Sequence, residues 1–311
     1  MIEQPPKAAL LLENVSKSFG DLRAVDSLSL RVPAGSIYGF LGPNGAGKTT
    51  TIRMIMDIIR PDPTGGRIEV LGGAAGGEVK GRIGYMPEER GLYRKMTVRR
   101  TLRYFGSIKG VAARALAGRA DEWLGRVGLA DWADRKVEEL SRGMHQKLQF
   151  AVTCISEPEM LILDEPFSGL DPVNLDLLKA EILRMRQAGR TVLFSTHVMH
   201  EAESLCDFIL LINRGRTVLD GTLEQIRSHW PSNTVAAELD GPTDFLESLP
   251  AVEAVRRDGR CVEIELAEAA DEQELLRAVL PRVRVRSFEV KVPSLHEIFV
   301  RLVGGEVEED S

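Results

Sequence analysis

Residues 42–49, Gly42-Pro43-Asn44-Gly45-Ala46-Gly47-Lys48-Thr49, satisfy the pattern G-x-x-x-x-G-K-[ST] at every position. In such a run successive backbone N–H groups wrap phosphate oxygens, and glycines let the backbone approach without Cβ clashes. The helix that follows turns its positive end to the anion. Lys48 is then placed to reach the terminal phosphates and Thr49 to offer a hydroxyl to Mg2+, with Thr50 in the same nucleotide-binding stretch. A chance match in 311 residues is on the order of 1%. A second group follows downstream: Met160-Leu161-Ile162-Leu163-Asp164-Glu165-Pro166 sets two acids at the end of an apolar run. In a parallel sheet that end is where ligands gather. Asp164 would hold Mg2+ through water, and Glu165 would polarise an attacking water. Alone, the pair is equally a polar turn after a strand; beside a phosphate loop it reads as nucleotide hydrolysis.

These groups need elements to hold them. Strands are predicted at 8–13, 27–32 and 36–41, then a helix from Lys48 to about Ile59, stopped by Pro61 and Pro63. A strand at 67–71 precedes a helical stretch over 97–150, with Leu102, Phe105 and Ile108 on one face. Beyond it, strands at 160–163, 191–195, 208–212 and 217–219 alternate with helices at 175–187 and 198–204, which points to a parallel sheet with covered faces. Composition changes near 228–233. Strands at 235–239, 252–256, 261–266 and 282–290, with helices at 244–248, 272–279 and 295–303, give a βαββαβ order, that of a small ferredoxin-like α+β unit with a terminal helix.

Bulk properties narrow the classes of function. Hydrophobic residues make up 43% and charged residues 28%, and the net charge of −6 argues against nucleic acid as a partner. The three cysteines stand far apart with no C-x-x-C pair, against a disulfide framework or structural zinc and in favour of the cytosol. No stretch approaches the roughly 18–20 apolar residues that span a bilayer. Service to a membrane would therefore go through another chain.

Between the two chemical motifs stands Leu140-Ser141-Arg142-Gly143-Met144-His145-Gln146, which resembles the LSGGQ signature of the ABC ATPases. The order of motifs is similar as well: the phosphate loop, Ile83-Gly84-Tyr85-Met86-Pro87-Glu88, the signature, Asp164-Glu165, Ser168-Gly169-Leu170-Asp171 and Thr196-His197. The resemblance covers residues 8–225. It implies an α/β fold, a P-loop NTPase core of the ABC type with a helical subdomain at about 88–155 and an antiparallel β part, ending at residue 228. An accessory α+β domain over 229–305 and an acidic, disordered tail over 306–311 complete the expected organisation.

What the resemblance implies carries over by residue. Phe19 would stack on adenine, while residues 42–50 bind the phosphates. Glu165, His197 and Lys48 would be catalytic, His197 as the switch near the γ-phosphate. Thr49, Glu88 and Asp164 would serve the metal. Ser141, Arg142, Gly143 and Met144 would act in trans on ATP held by the opposite protomer, and Asp171 would link the two sites. ATP and Mg2+ are the implied cofactors. The implied partners are a second ATPase subunit, identical or not, and a separate integral-membrane permease. The protein would then be cytoplasmic and peripheral on the inner face of the membrane.

The departures are Glu88, where the family usually has glutamine, Arg142 for the first signature glycine and Met144 for the signature glutamine. A carboxylate at 88 can still serve the metal. The loop Glu88-Glu89-Arg90-Gly91-Leu92-Tyr93 and the segment ending Pro293-Ser294-Leu295-His296-Glu297-Ile298-Phe299 are similar to ATPases of ABC-2-type export systems, including those assigned to sodium or drug extrusion. Arg94, Lys95, Arg99, Arg100 and Arg103 form a basic cluster, read either as a solvated helix face or as a contact with permease segments or anionic lipid headgroups. Two other functions stay open: a soluble ABC ATPase acting on ribosomes or nucleic acid, and a non-transport regulatory ATPase. One phosphate loop and no long coiled-coil insertion weigh against the first, and Glu165 with His197 against a regulator without turnover.

Overall fold

The computed structural model describes residues 7–63, 66–89, 91–230, 233–267 and 270–309, with side chains as far as Val303. The chain divides into two compact units, residues 1–223 and 224–311, a little ahead of the expected boundary. The first unit contains β1 (Ala8–Phe19), β2 (Leu22–Pro33), β3 (Ile37–Leu41), α1 (Lys48–Ile55), β4 (Arg67–Val70), β5 (Gly73–Ala74) and β6 (Ile83–Met86). It continues with α2 (Val98–Ile108), α3 (Ala113–Arg126), α4 (Arg142–Cys154), β7 (Met160–Asp164), α5 (Pro172–Gln187), β8 (Thr191–Thr196), α6 (Met199–Leu205), β9 (Phe208–Asn213) and β10 (Arg216–Gly221).

The central sheet has the order β10-β9-β3-β8-β7-β6. All but β10 run parallel. Strands β3, β7 and β8 are buried at every residue, which is why they read as unbroken apolar runs rather than alternating ones. Register decides what meets at their ends: Leu41 pairs with Thr196, and Asp164 with Ser195. The phosphate loop after β3, the carboxylates after β7 and His197 after β8 therefore leave one edge of the sheet side by side.

A second, antiparallel sheet has the order β2-β1-β4-β5. Its inward residues Leu10, Leu12, Leu28 and Leu30 share a core with Phe40, Ile52 and Ile55 of the central layer. Phe19 and Leu22 pair at the tip of the β1–β2 hairpin. Helices α2, α3 and α4 pack on one another as the helical part. The α3 guanidinium of Arg126 lies 4.0 Å from the Trp123 ring and donates to Glu181 of α5 at 2.9 and 2.6 Å. Glu181 is buried, so this pairing supplies the partner its charge requires.

Two elements differ from the sequence expectation. Helix α1 stops at Ile55, before the prolines, because Asp57 turns left-handed at φ +49° and its carbonyl receives Lys80 Nζ at 3.2 Å. Residues Ile83–Met86, read only as part of a motif, form the edge strand β6 against β7.

The second unit takes all but the first residue of α7 (Leu223–Ser228) and holds β11 (Thr234–Asp240), β12 (Val252–Asp258), β13 (Cys261–Leu266), α8 (Glu272–Val279), β14 (Arg284–Val290) and α9 (Leu295–Glu309). Its antiparallel sheet has the order β12-β13-β11-β14. This is the ferredoxin-like arrangement, with a 3-10 turn at Asp244–Ser248 in place of the first helix. Val235, Ala237, Val262 and Ile264 pack with Leu275 and Val279 of α8. At the head of α9, Glu297 accepts from Ser294 N at 2.8 Å and its own N–H donates to Ser294 Oγ at 3.2 Å, a capping box. The stretch from 306, expected to be disordered, is helical to Glu309; residues 310 and 311 lie outside the described residues.

Candidate functional site

Helix α1 starts at Lys48 behind Gly47, whose φ is +106°. A Cβ on Gly47 would lie 2.4 Å from Ala24 O, and one on Gly42 2.3 Å from Ile212 O, so both must lack side chains for the loop to pass. The Lys48 side chain curls back inside the loop and donates to Gly42 O at 2.6 Å and Pro43 O at 3.1 Å. Its ammonium also lies 3.7 Å from Glu165 Oε1. Burial lowers the lysine pKa, and the carboxylates of Glu165, Asp164 and Glu88 push it back up.

Asp164 is fully buried. Its Oδ1 accepts from Ser195 Oγ at 2.5 Å, whereas Oδ2 is buried with no hydrogen-bond partner among the described residues. Glu165 follows in left-handed conformation, φ +49°, a strained setting for a side chain with a Cβ. Ser195 holds that turn, accepting from Glu165 N at its hydroxyl (3.1 Å) and at its carbonyl (3.2 Å). The turn directs the Glu165 carboxylate to His197, whose Nδ1 is 3.0 Å from Oε1. His197 is half-exposed. Its own turn is fixed by Thr196 Oγ1, which accepts from Val198 N at 3.1 Å and donates to Glu201 at 3.2 Å. Burial raises the Glu201 pKa, and the nearby charge of Glu165 adds to the rise.

Phe19, residues 44–50, Glu88 and Glu165 line one cavity of about 460 Å3, with Leu22 and Ala24. Phe19 is 50% exposed at its rim, with Lys17 Nζ 5.4 Å from the centroid of its ring. Gly42 and Pro43 stand behind it as the acceptors of Lys48. The signature residues lie elsewhere. Ser141 caps α4, accepting from Met144 N at 3.2 Å, with Arg142 exposed beside it. Gly143 faces Leu170, and Asp171 caps α5 by accepting from Asn174 N at 3.0 Å. The cavity beside Lys48 is lined by none of Ser141, Arg142, Gly143, Met144 or Asp171.

Three positioning residues escaped the sequence reading. Ser195 joins the two carboxylates as just described. Gln146, buried in α4, donates to Glu165 O at 3.2 Å and Pro166 O at 2.9 Å. One turn on, Gln149 donates to Pro87 O at 2.7 Å and Glu89 O at 3.4 Å. The helix that begins at the signature thus grips the loop of Glu165 and the loop of Glu88 with two buried amides. Their signal in the sequence was polar residues spaced three apart on a helix whose neighbours are core. Replacing Gln146 by Leu should strip donors from two carbonyls, costing about 2 kcal/mol in denaturant unfolding and about tenfold in kcat with KM nearly unchanged. Parental kcat alongside the stability loss would reduce Gln146 to a purely structural part.

A family model described as ABC transporter matches residues 25–168. A second, described as ATP-binding protein DrrA1-3-like, C-terminal domain, matches residues 221–303. The uncharacterized ABC transporter ATP-binding protein YhaQ of Bacillus subtilis (strain 168) is 40% identical over 295 residues, spanning 95% of this chain and 98% of that one. The Nod factor export ATP-binding protein I of Rhizobium sp. (strain N33) is 35% identical over 307 residues, spanning 97% and 99%. A solved structure of the ATP-binding subunit of an ABC transporter has a TM-score of 0.66 at 29% identity, covering 71% of this chain and 93% of that one. With its phosphate loop and paired carboxylates on a P-loop sheet, the chain belongs to the ATP-binding proteins of ABC transporters, an ATPase family, and carries the C-terminal domain of the DrrA-like members.

Proposed function

We propose that the chain hydrolyses ATP as one half of a nucleotide-sandwich dimer, homo- or heteromeric, and thereby powers a separate membrane permease for export. The observation that carries this reading is the division of the machinery. Loop, lysine and carboxylates converge on one cavity, while Ser141 and Arg142 lie exposed at the head of α4, outside it. A second copy offering its signature to that cavity supplies the missing wall. Export as the direction rests on the Nod factor relative and on the DrrA-like domain.

In this reading adenine stacks on Phe19, the amides of residues 44–50 and Lys48 hold the phosphates, and Ser141 and Gly143 of the second copy close over the γ-phosphate. Glu165 takes a proton from water as the water oxygen bonds to the γ-phosphorus; the bond to the β–γ bridging oxygen breaks, and ADP leaves with its electrons. His197 and Lys48 hold the carboxylate that receives the proton. The residues fit Mg2+: the unpartnered Asp164 Oδ2, through water, with Thr49 and Glu88, is a hard oxygen set. When bound, Mg2+ supplies charge neutralisation at the phosphates.

The permease contact would use an apolar groove of about 200 Å3 lined by Tyr85, Pro87, Leu92, Phe105, Gln149 and Val152, among others. Gln149 belongs both to this groove and to the carbonyls flanking Glu88, so a segment seated there bears on the metal loop. Among the described residues no helix is long and apolar enough to cross a membrane. Dimerisation is the test. Light scattering on the Glu165→Gln variant should show its 34.3 kDa mass doubling on addition of ATP, and Gly143→Asp should prevent it. A monomer at saturating ATP, with specific activity independent of protein concentration, would remove the sandwich.

A further inference from the structure

Between Glu89 and Asp121 the chain has no acidic residue and nine Lys or Arg, in a protein whose net charge is −6. The structure separates these cations. Arg99 pairs with Asp121 and Asp134, Arg119 with Glu157, and Lys109 turns inward to Ile83 O. Arg90 lies outside the described residues. Arg94, Lys95, Arg100 and Arg103, and Arg114 apart from them on α3, are exposed, and no carboxylate among the described residues forms an ion pair with them. Glu138 and Glu139 lie on the strip whose backbone bonds to Arg94 and Met96, but they pair with Lys136 and Arg135.

Aromatic rings accompany the unpaired charge. Tyr93 is 51% and Tyr104 37% exposed, and their rings meet edge to face at 5.5 Å. On α2, Arg100, Arg103, Tyr104 and Ser107 follow the three- and four-residue spacing of one helix face, opposite buried Val98, Thr101 and Leu102. Ile108, 62% exposed, extends that face. Long cationic side chains around amphipathic rings suit the headgroup layer of a bilayer, where tyrosine sits at the interface and each basic residue gains from anionic lipid. A protein segment is better received by the neighbouring groove, which has walls and an apolar floor.

We propose that the face formed by Tyr93, Arg94, Lys95, Arg100, Arg103 and Tyr104 docks directly on an anionic lipid surface, independently of the permease. The proposal deepens the transporter reading and rests on it. Lipid contact at this face orients the groove of Leu92 and Phe105 towards the membrane and confines the subunit to the plane in which its partner lies.

The test is co-sedimentation of the full chain, without permease, with vesicles of phosphatidylcholine alone or mixed equally with phosphatidylglycerol. Wild type should partition onto the mixed vesicles only, and added salt should release it. Joint replacement of Arg94, Lys95, Arg100 and Arg103 by Gln should weaken partition at least about tenfold. Tyr93→Ser with Tyr104→Ser should weaken it about threefold at unchanged charge. Basal ATP turnover, which needs none of these residues, should stay parental and report the fold. Absence of wild-type binding, equal binding to neutral vesicles, or parental partition of the four-Gln variant would overturn the proposal. Should that variant keep lipid binding but lose co-purification with the permease, the cations belong to a protein interface and the lipid face falls. The transporter reading itself is tested separately, by dimerisation and turnover.

Discussion

Glu165→Gln should cut ATP turnover at least about a hundredfold while leaving ATP affinity within about twofold. The amide keeps the shape of the carboxylate and can still meet His197 and Lys48, which lie 3.0 and 3.7 Å from Oε1. It cannot accept the proton. The backbone is tied by Ser195 and Gln146 and does not depend on side-chain charge, so the strained turn at φ +49° should persist in the variant. Phosphate release under steady state, set beside fluorescent-nucleotide binding, checks both halves. Turnover at the parental rate would mean that another group takes the proton and that the carboxylate only shapes the site.

Lys48→Met should lower turnover by about 10²–10³ and weaken ATP binding at least tenfold, yet leave the nucleotide-free melting temperature within about 2 °C. The two expectations come from one observation. Without a phosphate, the buried ammonium is satisfied by the carbonyls of Gly42 and Pro43, and burial disfavours its charge. Its removal therefore costs the empty protein little, whereas a bound triphosphate loses its principal cation. The sign of the pH effect follows. With the folded pKa below the ordinary 10.5, the unfolded chain holds the proton more tightly, so stability from this group rises as pH climbs towards that value. The difference in unfolding free energy between wild type and variant should shift in favour of wild type over that window. Nucleotide-induced stabilisation, about 2.7 kcal/mol in wild type at a hundredfold excess over Kd, should fall to about 1.4 kcal/mol or less in the variant at the same ATP. Equal ATP-induced shifts in both would show that the lysine does not hold the nucleotide.

Glu88 and Arg142 show how a departure from a motif is read once packing is known. Glu88 stands exposed on the loop whose flanking carbonyls Gln149 holds, so a carboxylate fits there without a desolvation cost. Arg142 opens α4 with its side chain exposed, and the capping bond at that turn runs from Met144 N to Ser141 Oγ. Neither replacement disturbs the local geometry of its motif.

Features that depend on neighbours along the chain were for the most part legible before any packing was known. The phosphate loop was legible because close approach demands glycine at 42 and 47 and because a helix must start at Lys48. The apolar runs ending at Asp164 and Thr196 were legible because a strand buried on both faces admits little else. The βαββαβ order of the second unit was legible from alternation, with only its first helix shrunk to a 3-10 turn. Tertiary structure alone decided which of these ends meet. Parallel pairing of Leu41 with Thr196 and of Asp164 with Ser195 brings the loop, the carboxylates and His197 together from remote parts of the chain. Only packing showed that Ser195, Gln146 and Gln149 hold them, that Arg99 is paired while Arg100 and Arg103 are not, and that Ile83–Met86 is an edge strand. Backbone conformation is set within a few residues, but strand register and the partners of buried polar groups are set by contacts between segments far apart in sequence, which no local pattern records.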